Sequence, residues 1–226
     1  MGTAGFRKLW KNEYFQTAVM ILLILVVVFG LWYGSQFVLN TPYPALAVAS
    51  GSMCRVEGAL CDGWSHPFSE TLHKGDLIIV QGVDPKSLTV GTIIVFHKPL
   101  TSSSDVDELI VHRIYSIENN TSNGLVYFET KGDANPSPDP FDFDYRGVNY
   151  TWHEKISERL VVGRVIMRVP WVGHVALSMR NSFGIFLIAL LIIVIIILEF
   201  IIPAVTHREG KPEEEKREEA SSTSPH

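Results

Sequence analysis

Residues 109–131 read LIVHRIYSIENNTSNGLVYFETK. Two runs rich in Val, Ile, Tyr and Phe, Leu109–Glu118 and Gly124–Lys131, flank the polar stretch Asn119–Gly124 (NNTSNG). β-Branched and aromatic side chains suit a pleated, half-buried surface, and an Asn- and Gly-bearing break between two such runs predicts a hairpin. Working outward, the composition recurs. Asp76–Gly82 (DLIIVQG), Thr92–His97 (TIIVFH) and Leu160–Val169 (LVVGRVIMRV) are three further strand-like runs. Gly, Asn, Asp and Pro punctuate them, and no long amphipathic helical period competes. The expected fold class is mainly β, a small and mostly antiparallel β domain over residues 40–182 with no internal repeat.

Beyond that region the pattern changes. No charged residue lies between Glu13 and Arg55. Within that gap Ala18–Tyr33 (AVMILLILVVVFGLWY) continues apolar to Leu39, about 20 residues, enough to cross a bilayer as a helix. Arg7, Lys8 and Lys11 precede the run and no Lys or Arg follows before Arg55, which puts the N-terminus in the cytoplasm. A cleavable leader is the rival reading, and Ala45–Ala47 and Ala47–Ala49 supply A-x-A patterns. The run exceeds the usual leader core of about 7–15 residues, which favours an uncleaved anchor. A second apolar run, Phe183–Ile202, carries one charge, Glu199, and ends at Pro203. Its near lack of polar residues favours a second span over a buried core helix. The expected organisation is a cytoplasmic N-terminus at 1–16, transmembrane helices at 17–39 and 183–202, an extracytoplasmic domain at 40–182, and a charged, disordered cytoplasmic tail at 203–226. The protein is then a two-span cell-membrane protein with both termini inside.

The whole chain has 226 residues, of which 46% are hydrophobic, and a mean hydropathy of +0.18. Such apolarity excludes a disordered protein. The formal charge of −5 argues against nucleic acid as a partner. With 2 cysteines, neither a disulfide scaffold nor a four-thiolate zinc site is possible. Three sequons, at Asn119, Asn120 and Asn149, fall in expected extracytoplasmic loops and are weak support for that placement.

Several enzyme motifs fail. His153-Glu154 begins an H-E-x-x-H pattern, but position 157 is Ser. Ser52 lies in A-S-G-S-M rather than in a G-x-S-x-G elbow, and no phosphate-binding glycine loop occurs. What remains is a spaced set: Ser52, His112, and acids near Asp133 and Asp139. A hydrogen-bonded imidazole can take the proton of a serine hydroxyl, and a carboxylate can hold that imidazole in the right tautomer. Taken singly, Ser52 reads as a turn residue, His112 as a packed strand histidine and Asp133 as a turn residue after Gly132.

Four segments in order carry more information. Ala49-Ser50-Gly51-Ser52-Met53, Lys74-Gly75-Asp76-Leu77-Ile78-Ile79-Val80, Val111-His112-Arg113-Ile114 and Thr130-Lys131-Gly132-Asp133-Ala134-Asn135 resemble the boxes of the signal peptidase I family. Order and spacing match, over most of Ala47 to Asn135. Bacterial members have lysine in the third box, so His112 makes the chain resemble the archaeal and endoplasmic-reticulum branch. A free imidazole, with a pKa near 6.5, serves as a base at neutral pH without the desolvation a lysine needs. The two spans and an insertion, Cys54–Ser69, look more archaeal than reticular.

The resemblance implies a membrane-bound serine endopeptidase that removes signal peptides from exported preproteins without a metal or cofactor. Ser52 is the implied nucleophile and His112 the general base. Asp139 is the favoured third member, and Asp133 supports the site by hydrogen bonding. Asp142 and Asp144 lie close enough to leave the acid open. Ser50, with the Ser52 N–H, resembles an oxyanion-hole pair. Strand-like segments at Ala47–Ser50 and Leu109–Val111 are expected to pair with the substrate, with Ala47, Ala49, Leu109 and Val111 shaping shallow pockets. Cys54 and Cys61, both in the insertion, form a disulfide beside Ser52 or remain free thiols; spacing does not decide. Signal peptides and the lipid bilayer are the expected partners, with the Sec translocon as a candidate. A different class of protein, a membrane-anchored β module that binds exported or translocon proteins without catalysis, explains the spans and strands but not the Ser, His and Asp in their boxes.

Overall fold

The computed structural model describes residues 13–55, 61, 64–66, 68–147 and 149–179, together with the single positions 186, 190, 193 and 195. The chain forms two compact units, Met1–His174 and Val175–His226. The second apolar run, 183–202, lies outside the described residues except at those four positions, as does the tail from 203.

Helix α1, Glu13–Leu39, contains the first apolar run. One helix among the described residues, Phe15–Leu39, is long and apolar enough to cross a membrane, and its apolar window is not buried against protein. Its end is built from the sequence. Asn40 has φ of 50°, the left-handed conformation that asparagine tolerates at a helix C-terminus. The Thr41 amide then donates to the Gln36 carbonyl at 3.2 Å.

The rest of the first unit is an antiparallel sheet. Its strands are β1 Ala45–Ala47, β2 Leu77–Gln81, β3 Ile93–His97, β4 Leu109–Asn120, β5 Leu125–Lys131, β6 Thr151–Trp152, β7 Lys155–Ser157 and β8 Val161–Val169. A short helix α2, Val172–Ser178, follows. The spatial order is β1-β2-β8-β3-β4-β5-β7-β6. The mainly β, antiparallel expectation holds, and all five strand-like runs form β2, β3, β4, β5 and β8. The expected hairpin at Asn119–Gly124 joins β4 to β5, with Asn120 opposite Leu125.

Two clusters hold the sheet. One contains Ile94, Phe96, Ile114, Phe128, Ile156 and Leu160. The other contains Val48, Met53, Leu72, Ile78, Val80 and Val95, with Leu46, Leu109 and Val111 packed against it. Successive side chains of a strand point to opposite faces. Ile94 and Phe96 therefore serve one cluster and Val95 the other, so β3 is buried on both sides. That is why its sequence is a continuous apolar run rather than an alternation. β4 divides likewise, with Ile110 and Ile114 toward one cluster and Leu109 and Val111 toward the other.

Candidate active site

Ser52 sits in a turn after β1, closed by the Cys54 amide donating to the Gly51 carbonyl at 3.0 Å. Next to it Met53 is fully buried in the second cluster and anchors the turn. Upstream, the Val48 amide donates to Asp76 O at 2.9 Å, and the Gly75 amide to Val48 O at 2.8 Å. The residue before the first box is thus laced to the second box by backbone bonds.

His112 lies on β4, opposite Ile94 of β3. Its Nε2 is 3.0 Å from Ser52 Oγ, and its Nδ1 is 2.5 Å from Asp139 Oδ2. With Nδ1–H donating to the carboxylate, Nε2 presents its lone pair to the serine hydroxyl. Asp139 is itself held twice. Its amide donates to Thr130 O at 2.8 Å, and the Thr130 hydroxyl donates to Asp139 Oδ2 at 2.7 Å. His112 and Asp139 are both 8% exposed, so the contact between them is largely shielded from water. Ser50 Oγ lies 3.1 Å from Ser52 Oγ on the exposed side of the turn.

Gly132 makes this approach possible. A Cβ there would stand 2.6 Å from Ser52 O and 2.9 Å from His112 Nε2. The neighbouring Ala134 amide donates to Ser52 O at 2.9 Å and ties the first and last boxes together.

Asp133 bonds to the residue beside the imidazole. Its carboxylate takes a bidentate pair from Arg113, Nε to Oδ1 at 2.8 Å and Nη2 to Oδ2 at 2.7 Å. It therefore orders the residue next to the imidazole and contacts neither His112 nor Ser52. Arg113 also donates to Gly91 O at 2.7 Å, and the Asp133 hydrogen bonds raise its pKa above the usual guanidinium value. Asp144, the nearby rival acid, is committed elsewhere. Burial pushes its carboxyl up, but hydrogen bonds from Arg146 and from the Leu100 amide bring it below the usual carboxylate value.

Of the expected substrate-facing residues, Ala47 ends β1, which among the described strands pairs with β2 alone and so has one edge free of them. Ala49 follows, exposed. Leu109 and Val111 pair with His97 and Val95 of β3, whereas β5 begins its pairing with β4 only at Arg113. The other edge of Leu109–Val111 is therefore free of β5. Cys54 and Cys61 are joined in a disulfide, their Cα atoms 5.9 Å apart. Among the described residues no group of three His, Cys, Asp or Glu side chains is placed to hold a metal ion.

Thr130 and Gly132 were missed as site residues. Both lie in the T-K-G-D segment, where a glycine before a polar turn is the only local signal of close approach.

The described residues thus form an antiparallel β domain with a hydroxyl, an imidazole and a carboxylate in series, joined to one long apolar helix. Comparison with curated proteins narrows this. The chain is 26% identical over 170 residues to the signal peptidase complex catalytic subunit SEC11 of Verticillium alfalfae, covering 74% of this chain and 83% of that protein. It is 26% identical over 188 residues to SEC11 of Tuber melanosporum, covering 80% and 87%. With SEC11 of Chaetomium globosum the identity is 28% over 160 residues, covering 70% and 77%. These relatives support the signal peptidase I family, in the branch shared by endoplasmic-reticulum and archaeal members. No protein-family model and no solved structure matches the chain.

Proposed function

We propose that the chain is a membrane-anchored serine endopeptidase that removes signal peptides from preproteins. The observation that carries the reading is the continuous series Ser52 Oγ, His112 Nε2, His112 Nδ1, Asp139 Oδ2, with distances of 3.0 and 2.5 Å. The names of the SEC11 relatives supply the substrate class.

His112 Nε2 takes the Ser52 proton as Oγ attacks the scissile carbonyl. Negative charge then develops on the carbonyl oxygen, where the Ser50 hydroxyl and the Ser52 amide donate to it. As the intermediate collapses, the imidazolium gives its proton to the leaving amine, and the signal peptide stays as an acyl ester on Ser52. A water deprotonated by His112 hydrolyses that ester. Asp139, held by Thr130, keeps the ring in one tautomer and stabilises the imidazolium without taking its proton. The free edges of β1 and of Leu109–Val111 receive the substrate as an added strand, with Ala47 and Ala49 leaving room for small side chains.

Helices at 17–39 and 183–202 hold the site on the extracytoplasmic side. About a dozen residues separate the first span from Ser52, at most roughly 40 Å of extended chain, so the site stays close to where a signal peptide leaves the bilayer. Confinement of enzyme and substrate to one surface raises their encounter rate.

The test is preprotein cleavage in liposomes at equal enzyme abundance. Wild type releases the signal peptide and Ser52→Ala does not. Equal cleavage by Ser52→Ala sinks the serine mechanism.

A further inference from the structure

At Arg113, one position along β4 from His112, the surface falls into a cleft that the mechanism above does not use. Arg55, Arg113, Tyr115, Lys131 and Asp133 line it, and a second hollow shares Arg55, Arg113 and Asp133 and adds Glu70. Three cations and one carboxylate therefore face the first of these spaces. Asp133 is already taken up by Arg113. Lys131 Nζ donates to Pro136 O at 3.3 Å and lies 5.9 Å from the Tyr115 ring centre, with donors to spare. The Arg55 guanidinium has no ion pair or side-chain hydrogen bond among the described residues, while its backbone amide is fixed by Thr71 Oγ1 at 3.3 Å. An unpaired guanidinium on a tethered backbone is a ready recognition group for carboxylate.

The chain direction says which part of a substrate reaches the cleft. Along the first segment the chain order is β1, Ala49, Ser52, Arg55; along β4 it is Leu109, Val111, His112, Arg113, Tyr115, with Arg113 on the face of Leu109 and Val111. Both segments pass the reacting groups in the same sense, and Leu46 of β1 packs on the same cluster as Leu109 and Val111. Residues before the scissile bond lie along β1 and Leu109–Val111, so residues after it lie against Arg55, Arg113 and Lys131. Arg55 is three positions after Ser52, at most about 11 Å of chain. An extended substrate covers that distance by its third residue past the bond.

We propose that this cleft is the subsite for the first residues after the cleavage point, and that Arg55, with Lys131, makes it prefer acidic side chains there. The inference rests on the peptidase reading and adds a charge selectivity on the leaving side. Arg55 is a specificity residue, since the chemistry at Ser52 does not need it.

The test uses the full-length protein in detergent micelles and three peptides identical up to the scissile bond. They carry Asp-Asp, Ser-Ser or Lys-Lys at the second and third positions after it. The reading is the ratio of kcat/KM for Asp-Asp over Lys-Lys within each enzyme, so that a variant's overall loss cancels. Wild type is expected to favour Asp-Asp roughly fivefold at low ionic strength, the scale of exposed charge pairs, and less in about 0.5 M salt. Arg55→Gln brings the ratio toward one, and Arg55→Glu inverts it. Equal wild-type rates on the two charged peptides overturn the subsite, as does a ratio unmoved in both variants. If wild type cleaves none of the three, Ser-Ser included, the peptidase reading itself fails and the subsite falls with it.

Discussion

At the scale of single residues, two aspartates six positions apart have separate tasks. Asp139 receives His112 and Thr130, whereas Asp133 receives Arg113. Asp139→Asn offers an amide where the ring needs a carboxylate, which favours the wrong tautomer and leaves the imidazolium unstabilised. We expect kcat to fall about 10³- to 10⁴-fold with little change in KM, as for the loss of a triad acid. Asp133→Asn leaves the triad contacts in place and weakens the Arg113 pair. Its main effect is on stability, a loss of about 1–3 kcal/mol in denaturant midpoint analysis, with kcat falling far less than in Asp139→Asn. A kcat loss as large as that of Asp139→Asn would show that Asp133 acts directly on the imidazole. Gly132→Ala drives a Cβ against Ser52 O and His112 Nε2. It is expected to cut kcat more than tenfold by separating the hydroxyl from the ring, while the midpoint moves modestly.

At the scale of elements, the loop between the Ser52 turn and β2 is held from both ends. The Cys54–Cys61 disulfide closes its start, and Gly51 packs close to Cys61, where an added Cβ would sit 3.3 Å from Cys61 Cβ. The double variant Cys54→Ser, Cys61→Ser is expected to lose about 2.5 kcal/mol of stability by the loop-entropy estimate, checked by thermal or denaturant unfolding. At its far end, Arg168 of β8 donates to the Thr71 carbonyl, contacts His73 Nδ1 at 3.2 Å and reaches Asp76 Oδ2 at 3.3 Å. His73 is 1% exposed, and the Ser69 hydroxyl meets its Nε2 at 2.9 Å. Burial lowers the His73 pKa; Asp76 opposes that shift and Arg168 and His66 reinforce it. Below the ordinary value near 6.5, the unfolded chain therefore binds a proton that the native chain excludes. Stability present at neutral pH is then lost as pH falls below about 6.5, down to the lower native value. Thermal midpoints should drop between pH 7 and 5.5, and less so in His73→Gln. An identical drop in that variant assigns the acid sensitivity to other groups.

On the scale of the first unit, helix α1 meets the sheet at the end of β2. The Gly82 amide, at the end of β2, donates to Leu39 O at 2.8 Å, and a Cβ at Gly82 would meet Asn40 O at 2.0 Å. A side chain there must push the helix end away from the sheet. Gly82→Val is expected to reduce cleavage of a membrane-inserted preprotein several-fold more than cleavage of a short soluble peptide. Equal losses on the two substrates would mean that the junction stabilises the domain without positioning it.

Much of this was legible along the chain, for local reasons. The five strand runs and the apolar helix are statements about composition over 5 to 27 residues, and burial acts on that composition directly. The strands missed, β1, β6 and β7, have three, two and three residues, too few for any period to register, and the strand-like segment expected at Ala47–Ser50 overlaps β1 only at Ala47. β2 starts one residue later than the run Asp76–Gly82, because the Asp76 carboxylate turns back to accept from the His73 amide at 2.8 Å. The family boxes pointed to Ser52 and His112 but left the acid and the state of the cysteines open. By itself, then, the sequence determined the sheet-forming runs, the long apolar helix and the residue types of the candidate site. Only the tertiary structure decided which acid meets the imidazole, that Asp133 belongs to Arg113, and that Cys54 and Cys61 lie within bonding reach. Hydropathy is written residue by residue, whereas the partners of His112 lie 60 and 27 positions away and are brought to it only by sheet register and by the close approach at Gly132.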